Sequence, residues 1–346
     1  MTVTPNTTPL PLAVSLGDPA GVGPELIAAA WMLRHGGQDG DALPPFFAVG
    51  GTDLLVAAAA TRGLHLPVTR ISSPAQASAA FVHALPVLEL ERGTEPYQPG
   101  EPSREGARLA LASLTEATRL ATTGAAGGLV TGPIAKSRLA EVGFTHPGQT
   151  EFVAQACGIA PQNAVMMLAG PSLRTVPITV HIALAQVPAA LTSALIVARA
   201  RITAAALTRD FGIASPRLAI AALNPHAGED GRMGDEEARI IAPAIARLRA
   251  MGIDASGPHP ADALFAPRAR ATYDVALCMY HDQALIPLKT LDFDSGVNIT
   301  LGLSVVRTSP DHGTAFAIAG KGVAAPGAML AAIRMAGHCA ARRISA

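Results

Sequence analysis

Lysine is nearly missing from this 346-residue sequence: Lys136, Lys289 and Lys321 stand against 23 arginines. A lysine kept in such a chain is a candidate for work that needs a compact, titratable ammonium group rather than a planar guanidinium. Cysteine is sparse as well. Cys157, Cys278 and Cys339 lie far apart with no CxxC pair, which excludes a dense disulfide framework and points to reduced thiols in a cytoplasm. Cys278 falls inside an apolar run and reads as packing. Charged residues make up only 15%, and 26 basic residues balance 26 acidic ones with no basic block, so a nucleic-acid partner has no electrostatic support. Arg, Pro or Gly interrupts every apolar run well before the ~18 residues a membrane span needs. The start, MTVTPNTTPLPLAV, has neither the basic n-region nor the long h-region of a signal peptide. A good dinucleotide fingerprint is also missing. Gly17, Gly21 and Gly23 are not spaced GxGxxG, and Glu25 puts a negative charge where a pyrophosphate would sit.

What is present is a large core: 49% of the residues are hydrophobic, and the length suits two domains sharing a cleft. Short apolar runs at 12–16, 46–49, 67–71, 86–90, 128–131, 164–168, 174–180, 217–223 and 275–280 read as strands. Helical stretches at 24–33, 53–61, 104–122, 188–210, 235–251 and 326–343 fall between or after them. The segment 93–103 reads as a surface loop rich in Pro and Gly. Strands alternating with helices indicate an α/β protein with largely parallel sheets covered on both faces.

The chemistry concentrates after the run at 275–280. His281, Asp282, Lys289, Asn298, Arg307 and His312 follow one buried strand, the inventory of a site for an anionic, metal-chelating small molecule. Two further histidines share the placement of His281. His181 follows TVPITV and His226 follows LAIAALNP. Loops at the carboxyl ends of parallel strands converge on the ligand site, and three imidazoles delivered there suit one divalent cation with coordination positions left for substrate. His35, His65 and His83 read as surface residues, whereas His146, His259, His312 and His338 are not assigned as ligands.

The motifs GDPAGVGPE (17–25), VTGPIAK (130–136), PGQTEF (147–152), LNPHAGE (223–229), GPHPADALF (257–265), MYHDQ (279–283), GVNITLGL (296–303) and RTSPDHGTA (307–315) run through nearly the whole chain. In these the sequence resembles the 4-hydroxythreonine-4-phosphate dehydrogenases of pyridoxal 5′-phosphate biosynthesis. The resemblance implies two α/β/α domains with a central cleft, as in isocitrate and isopropylmalate dehydrogenases, one discontinuous (1–135 with 300–346) and one continuous (136–299). It implies oxidation of 4-phosphooxy-L-threonine at its C3 hydroxyl with NAD or NADP, then decarboxylation to 3-amino-2-oxopropyl phosphate. It further implies a divalent metal (zinc, magnesium or cobalt) on His181, His226 and His281, with His281 donated across a homodimer. Gln149, Thr150, Lys289, Asn298 and Arg307 then face the phosphorylated substrate, and Asp262 and Asp282 stand at acidic site positions. His312, Gly313, Thr314, Ala315 and Gly320 correspond to a cofactor loop that holds the adenosine half of the nucleotide without GxGxxG.

One position departs from the family: Gln149 stands where a histidine is usual. Glutamine can donate a hydrogen bond but cannot carry charge or exchange a proton near neutrality. Either hydrogen bonding is all the position requires, or the substrate is a relative such as 4-phosphoerythronate, 4-phosphothreonate or an aromatic cis-diol carboxylate. His146 is available three residues earlier. A metal acting as Lewis acid suits both chemical steps, and Lys289, Asp282 or Asp262 could move the protons. A phosphate acyltransferase would share the general fold but needs no three-histidine set.

Overall fold

The computed structural model describes residues 9–34, 42–90 and 97–345. His35 and the first residues of the 93–103 segment lie outside them. The strands are β1 (Leu12–Ser15), β2 (Phe46–Gly50), β3 (Val68–Ile71), β4 (Leu85–Glu89), β5 (Leu129–Thr131), β6 (Val165–Ala169), β7 (Arg174–Pro177), β8 (Leu218–Ala221), β9 (Ala255–His259), β10 (Val275–Cys278), β11 (Val297–Leu301) and β12 (Arg307–Pro310). Helices occupy most of the chain between them, so the protein is α/β as the alternation implies.

Two compact units divide the chain: Met1–Pro161 with Leu303–Ala346, and Gln162–Gly302. The expected boundaries at 135/136 and 299/300 differ from these mainly at the first. Residues 136–161 stay with the first unit because Leu139 and Phe144 are buried against Ala110 and Leu114 of the helix Arg104–Thr122, with Phe152 packed on the same cluster.

In the first unit the strands run β3-β4-β2-β1-β5-β12, and each pairing is parallel. Every residue of β1 and β2 is buried, as expected of strands covered on both faces. In the second unit the order is β11-β6-β7-β10-β8-β9. The β7-β10, β10-β8 and β8-β9 pairings are parallel, and the two involving β6 are antiparallel.

One expectation needs correction. The Ala-rich stretch 188–210 is not one helix. A short helical segment, Leu184–Ala190, gives way to the helix Ser193–Phe211 with a bend of 93° between the two. Thr192 is the cause: its hydroxyl accepts the Leu195 N–H at 3.1 Å and starts a fresh helix. The polar segment after β10 is also more regular than it reads, holding the helix His281–Asp292 and then β11 and β12. No single helix among the described residues is long and apolar enough to cross a membrane.

Ser113 ties the long helix Arg104–Thr122 to the loop that follows β1. Its buried hydroxyl accepts the Leu16 N–H at 2.9 Å and donates to the Val49 carbonyl at 2.6 Å. Ser113→Ala leaves both backbone groups buried without that partner, a loss of about 1–3 kcal/mol. Denaturant unfolding of the two proteins measures it, and equal stability would show that water replaces the hydroxyl.

Candidate functional site

In the second unit, three adjacent parallel strands, β7, β10 and β8, present their carboxyl ends at one edge of the sheet. Each is followed by one of the singled-out histidines: His181 after β7, His281 after β10 and His226 after β8. The strand ends are stitched sideways beyond the last ladder residues. Ile178 N–H donates to the Cys278 carbonyl at 2.7 Å, and the Thr179 hydroxyl donates to the Met279 carbonyl at 2.7 Å. On the other side, Gln283 is buried, donates to the Ala222 carbonyl at 2.7 Å and accepts the Met279 N–H at 2.6 Å. Gln283 belongs to the MYHDQ motif, yet no role for it follows from sequence.

This stitching brings the rings of His181 and His281 to 5.8 Å between centroids. A cavity of about 230 Å³ opens there, lined by Thr179, His181, Leu184, Tyr280, His281 and Asp282. His281 Nδ1 lies 2.7 Å from Asp282 Oδ1. A carboxylate on one imidazole nitrogen fixes the tautomer and leaves the other nitrogen for a ligand. Lys289, two turns further along the same helix, lines a neighbouring hollow of about 430 Å³ with His281 and Asp282. Asp262 is exposed just after β9, whose His259 is in register with Ala221 of β8. Asn298 lies on β11, and its Oδ1 is buried without a hydrogen-bond partner. His226 is exposed at the start of a left-handed turn. Among the described residues no three His, Cys, Asp or Glu side chains converge closely enough to hold a metal ion. The donor set suits a divalent cation, but one chain alone does not close a site around it.

The first unit holds the remaining candidates. Arg307, on β12, is 4% exposed and donates through Nη2 to Thr131 Oγ1 at 2.7 Å and to Gln149 Oε1 at 2.9 Å. Burial lowers the guanidinium pKa to about 10, against the opposing field of Glu151. Gln149 opens the helix Gln149–Ala156, with Thr150 beside it, and its amide nitrogen donates to the Gly132 carbonyl at 2.9 Å. Both ends of the Gln149 amide therefore have protein partners. A charged histidine could not accept from Arg307 in this place; glutamine can.

The candidate cofactor loop packs on the glycine-rich loop after β1. The Thr314 carbonyl accepts the Val22 N–H at 3.0 Å, and a Cβ at Gly21 would lie 2.7 Å from that carbonyl. Ala315 takes a left-handed conformation (φ 48°), and Gly320 (φ 72°) closes the loop against Pro99. His312 Nδ1 lies 3.0 Å from the Gly313 carbonyl, and its Nε2 is buried without a partner. Glu25, which reads as hostile to a pyrophosphate, is fully buried, and burial raises its pKa against the field of Arg62. Tyr97 is held near it, its hydroxyl pushed up to about 12 by burial and the Glu25 charge.

Comparison with known proteins shows the family. The family model for pyridoxal phosphate biosynthetic protein PdxA matches residues 42–336. A 4-hydroxythreonine-4-phosphate dehydrogenase of Erythrobacter litoralis (strain HTCC2594) is 62% identical over 97% of this chain and 98% of its own length. A second, from Zymomonas mobilis subsp. mobilis, is 54% identical over 96% of each chain. The crystal structure of the Klebsiella pneumoniae 4-hydroxythreonine-4-phosphate dehydrogenase superposes with a TM-score of 0.85 at 38% identity, covering 97% of this chain and 99% of that one. The match runs through both units and includes the strand ends that carry the histidines, and the chain belongs to the PdxA family of pyridoxal phosphate biosynthetic proteins.

Proposed function

We propose that the protein is a dehydrogenase that oxidises 4-phosphooxy-L-threonine at C3 and releases CO₂ to give 3-amino-2-oxopropyl phosphate, a step in making pyridoxal 5′-phosphate. The observation that carries this reading is the 62% identity, over nearly the full length of both chains, to a relative bearing that activity in its name. It outweighs the sugar-acid and cis-diol alternatives raised by Gln149.

His181, His226 and His281 would hold a divalent cation, with His281 contributed by a second copy of the chain. The cation supplies Lewis acidity for both the oxidation and the loss of CO₂. His312 to Ala315 with Gly320 would hold the adenosine half of a nicotinamide nucleotide, NAD or NADP, which would supply the hydride acceptor. Arg307 offers a fixed cation to an anionic substrate group, oriented by Thr131 and Gln149. Thr150 and Asn298 add a hydroxyl and an amide. Lys289 and Asp282 flank His281 and can exchange protons with substrate there, and Asp262 offers a further carboxylate. The homodimer is supported by apolar side chains left in water around the His281 helix: Leu184 is 66% exposed, Ile286 63% and Phe293 74%. Three free cysteines suit a reducing cytoplasm.

Exhaustive chelation is expected to abolish NADH formation, and zinc, cobalt or magnesium to restore it. Full activity in protein shown by elemental analysis to be metal-free would overturn the metal site. Gln149→His is expected to keep turnover within roughly 2- to 13-fold at mildly alkaline pH, the range set by one neutral hydrogen bond. Its KM should climb as the pH falls and the new imidazole loses its ability to accept from Arg307. A profile as flat as wild type would remove Gln149 from the substrate pocket's support. Mixing His226→Ala with His281→Ala under subunit exchange should recover activity up to about a quarter of wild type, because one site of each mixed dimer collects both lesions and the other none. Verified exchange with no recovery would place each site within one chain.

A further inference from the structure

The turn that carries His226 is unusual. Five successive residues, His226 to Asp230, have positive φ angles between 42° and 78°, and only Gly228 among them lacks a side chain. L-residues adopt this conformation singly and at a cost, so such a run persists only where its surroundings over-determine it. The restraint comes from Glu237, buried at the beginning of the next helical segment. Its Oε1 accepts the backbone N–H groups of Leu223 at 2.9 Å and Asn224 at 2.8 Å, and its Oε2 accepts from Asn224 Nδ2 at 3.0 Å. The middle of the turn rests on the same carboxylate: a Cβ at Gly228 would lie 2.7 Å from Glu237 Oε2. One side chain therefore pins the entry of the turn and supports its centre, two and three residues from His226.

We infer that Glu237 is a positioning residue for the metal centre, holding the left-handed turn in the one conformation that presents His226 to the cation. It does not touch the cation itself. Beyond its middle the turn has backbone bonds of its own, from Arg232 to the Glu229 carbonyl and from Met233 to the Gly228 carbonyl, whereas the N–H groups at its entry go to Glu237, and a charged acceptor makes stronger bonds to backbone N–H groups than a neutral one. Glu236, whose Oε2 accepts from the same Asn224 amide at 2.7 Å, touches neither the backbone N–H groups nor Gly228, and serves as the control. The inference rests on the three-histidine metal reading given above.

The test is a zinc or cobalt titration of the full-length apo protein, each variant held well below its melting temperature. Hydrogen exchange of the 223–230 segment is followed alongside. Glu237→Gln should weaken cation binding about 10-fold and Glu237→Ala up to about 100-fold, the usual range for residues that orient a ligand. Both should speed exchange at Leu223 and Asn224. Gly228→Ala should reproduce the loss from the other side of the contact, whereas Glu236→Gln should leave affinity unchanged. In a His226→Ala background Glu237→Gln should bring no further loss, because it acts through that ring. A general structural role would instead add its loss in both backgrounds, and that outcome overturns the inference. So does unchanged affinity in a folded Glu237→Ala protein. Wild-type protein that takes up no cation overturns the metal reading and the inference together, which separates the two failures.

Discussion

The site in the second unit depends on the parallel alignment of three neighbouring strand ends. β10 lies between β7 and β8 with all three running the same way, so the loops that leave them have no choice but to share an edge. The ladder alone would let those loops diverge. Thr179 on one side and Gln283 on the other extend the lateral hydrogen bonding past the last paired residues, in places where water cannot substitute. Leaving such buried backbone groups without partners costs about 1–3 kcal/mol each. The penalty for splaying the strand ends is thus set beneath the histidines rather than at them.

The two units handle charge in opposite ways. Arg307 is a buried cation whose named partners, Thr131 and Gln149, are both neutral, and burial has already drawn its pKa down. A group desolvated in advance gives up little hydration when an anion arrives, and its fork is already aimed. His281 stays partly open to solvent beside an exposed Asp282, whose carboxylate can bias the tautomer of the ring. Orientation in the first case is bought by burial, in the second by a single hydrogen bond.

Much of this was legible in the sequence, for physical reasons particular to each element. β1 and β2 are apolar apart from Ser15 at the end of β1 because both faces are covered, and the helix Arg104–Thr122 begins at Ser103, whose hydroxyl accepts the Gly106 N–H. The histidines stood out because their position after an apolar run is itself a sequence property. The helix His281–Asp292 did not stand out, since Pro287 and a mixed face blur its period. β11 carried a usable signal in the alternation of Val297, Ile299 and Leu301 with Asn298 and Thr300, masked by the polar residues around it. Gln283 and Glu237 were beyond reach. Each looks like an ordinary helical residue, and its value lies in backbone groups 61 and 13 or 14 residues away in the chain.

The order of the chain sets one further condition. The first unit starts the sequence but is completed only by residues from Leu303 onward, after the whole of the second unit has been made. Until β12 arrives, the flank of β5 that it will cover has no ladder partner, an open edge of the kind that invites wrong pairing. At ordinary ribosomal speeds the wait is on the order of ten seconds. During translation the inserted unit can therefore finish folding first, and the amino-terminal half must pass that interval as an incomplete sheet. A nascent chain of this kind has reason to linger with a chaperone, and its vulnerable moment falls in the middle of synthesis rather than at the end.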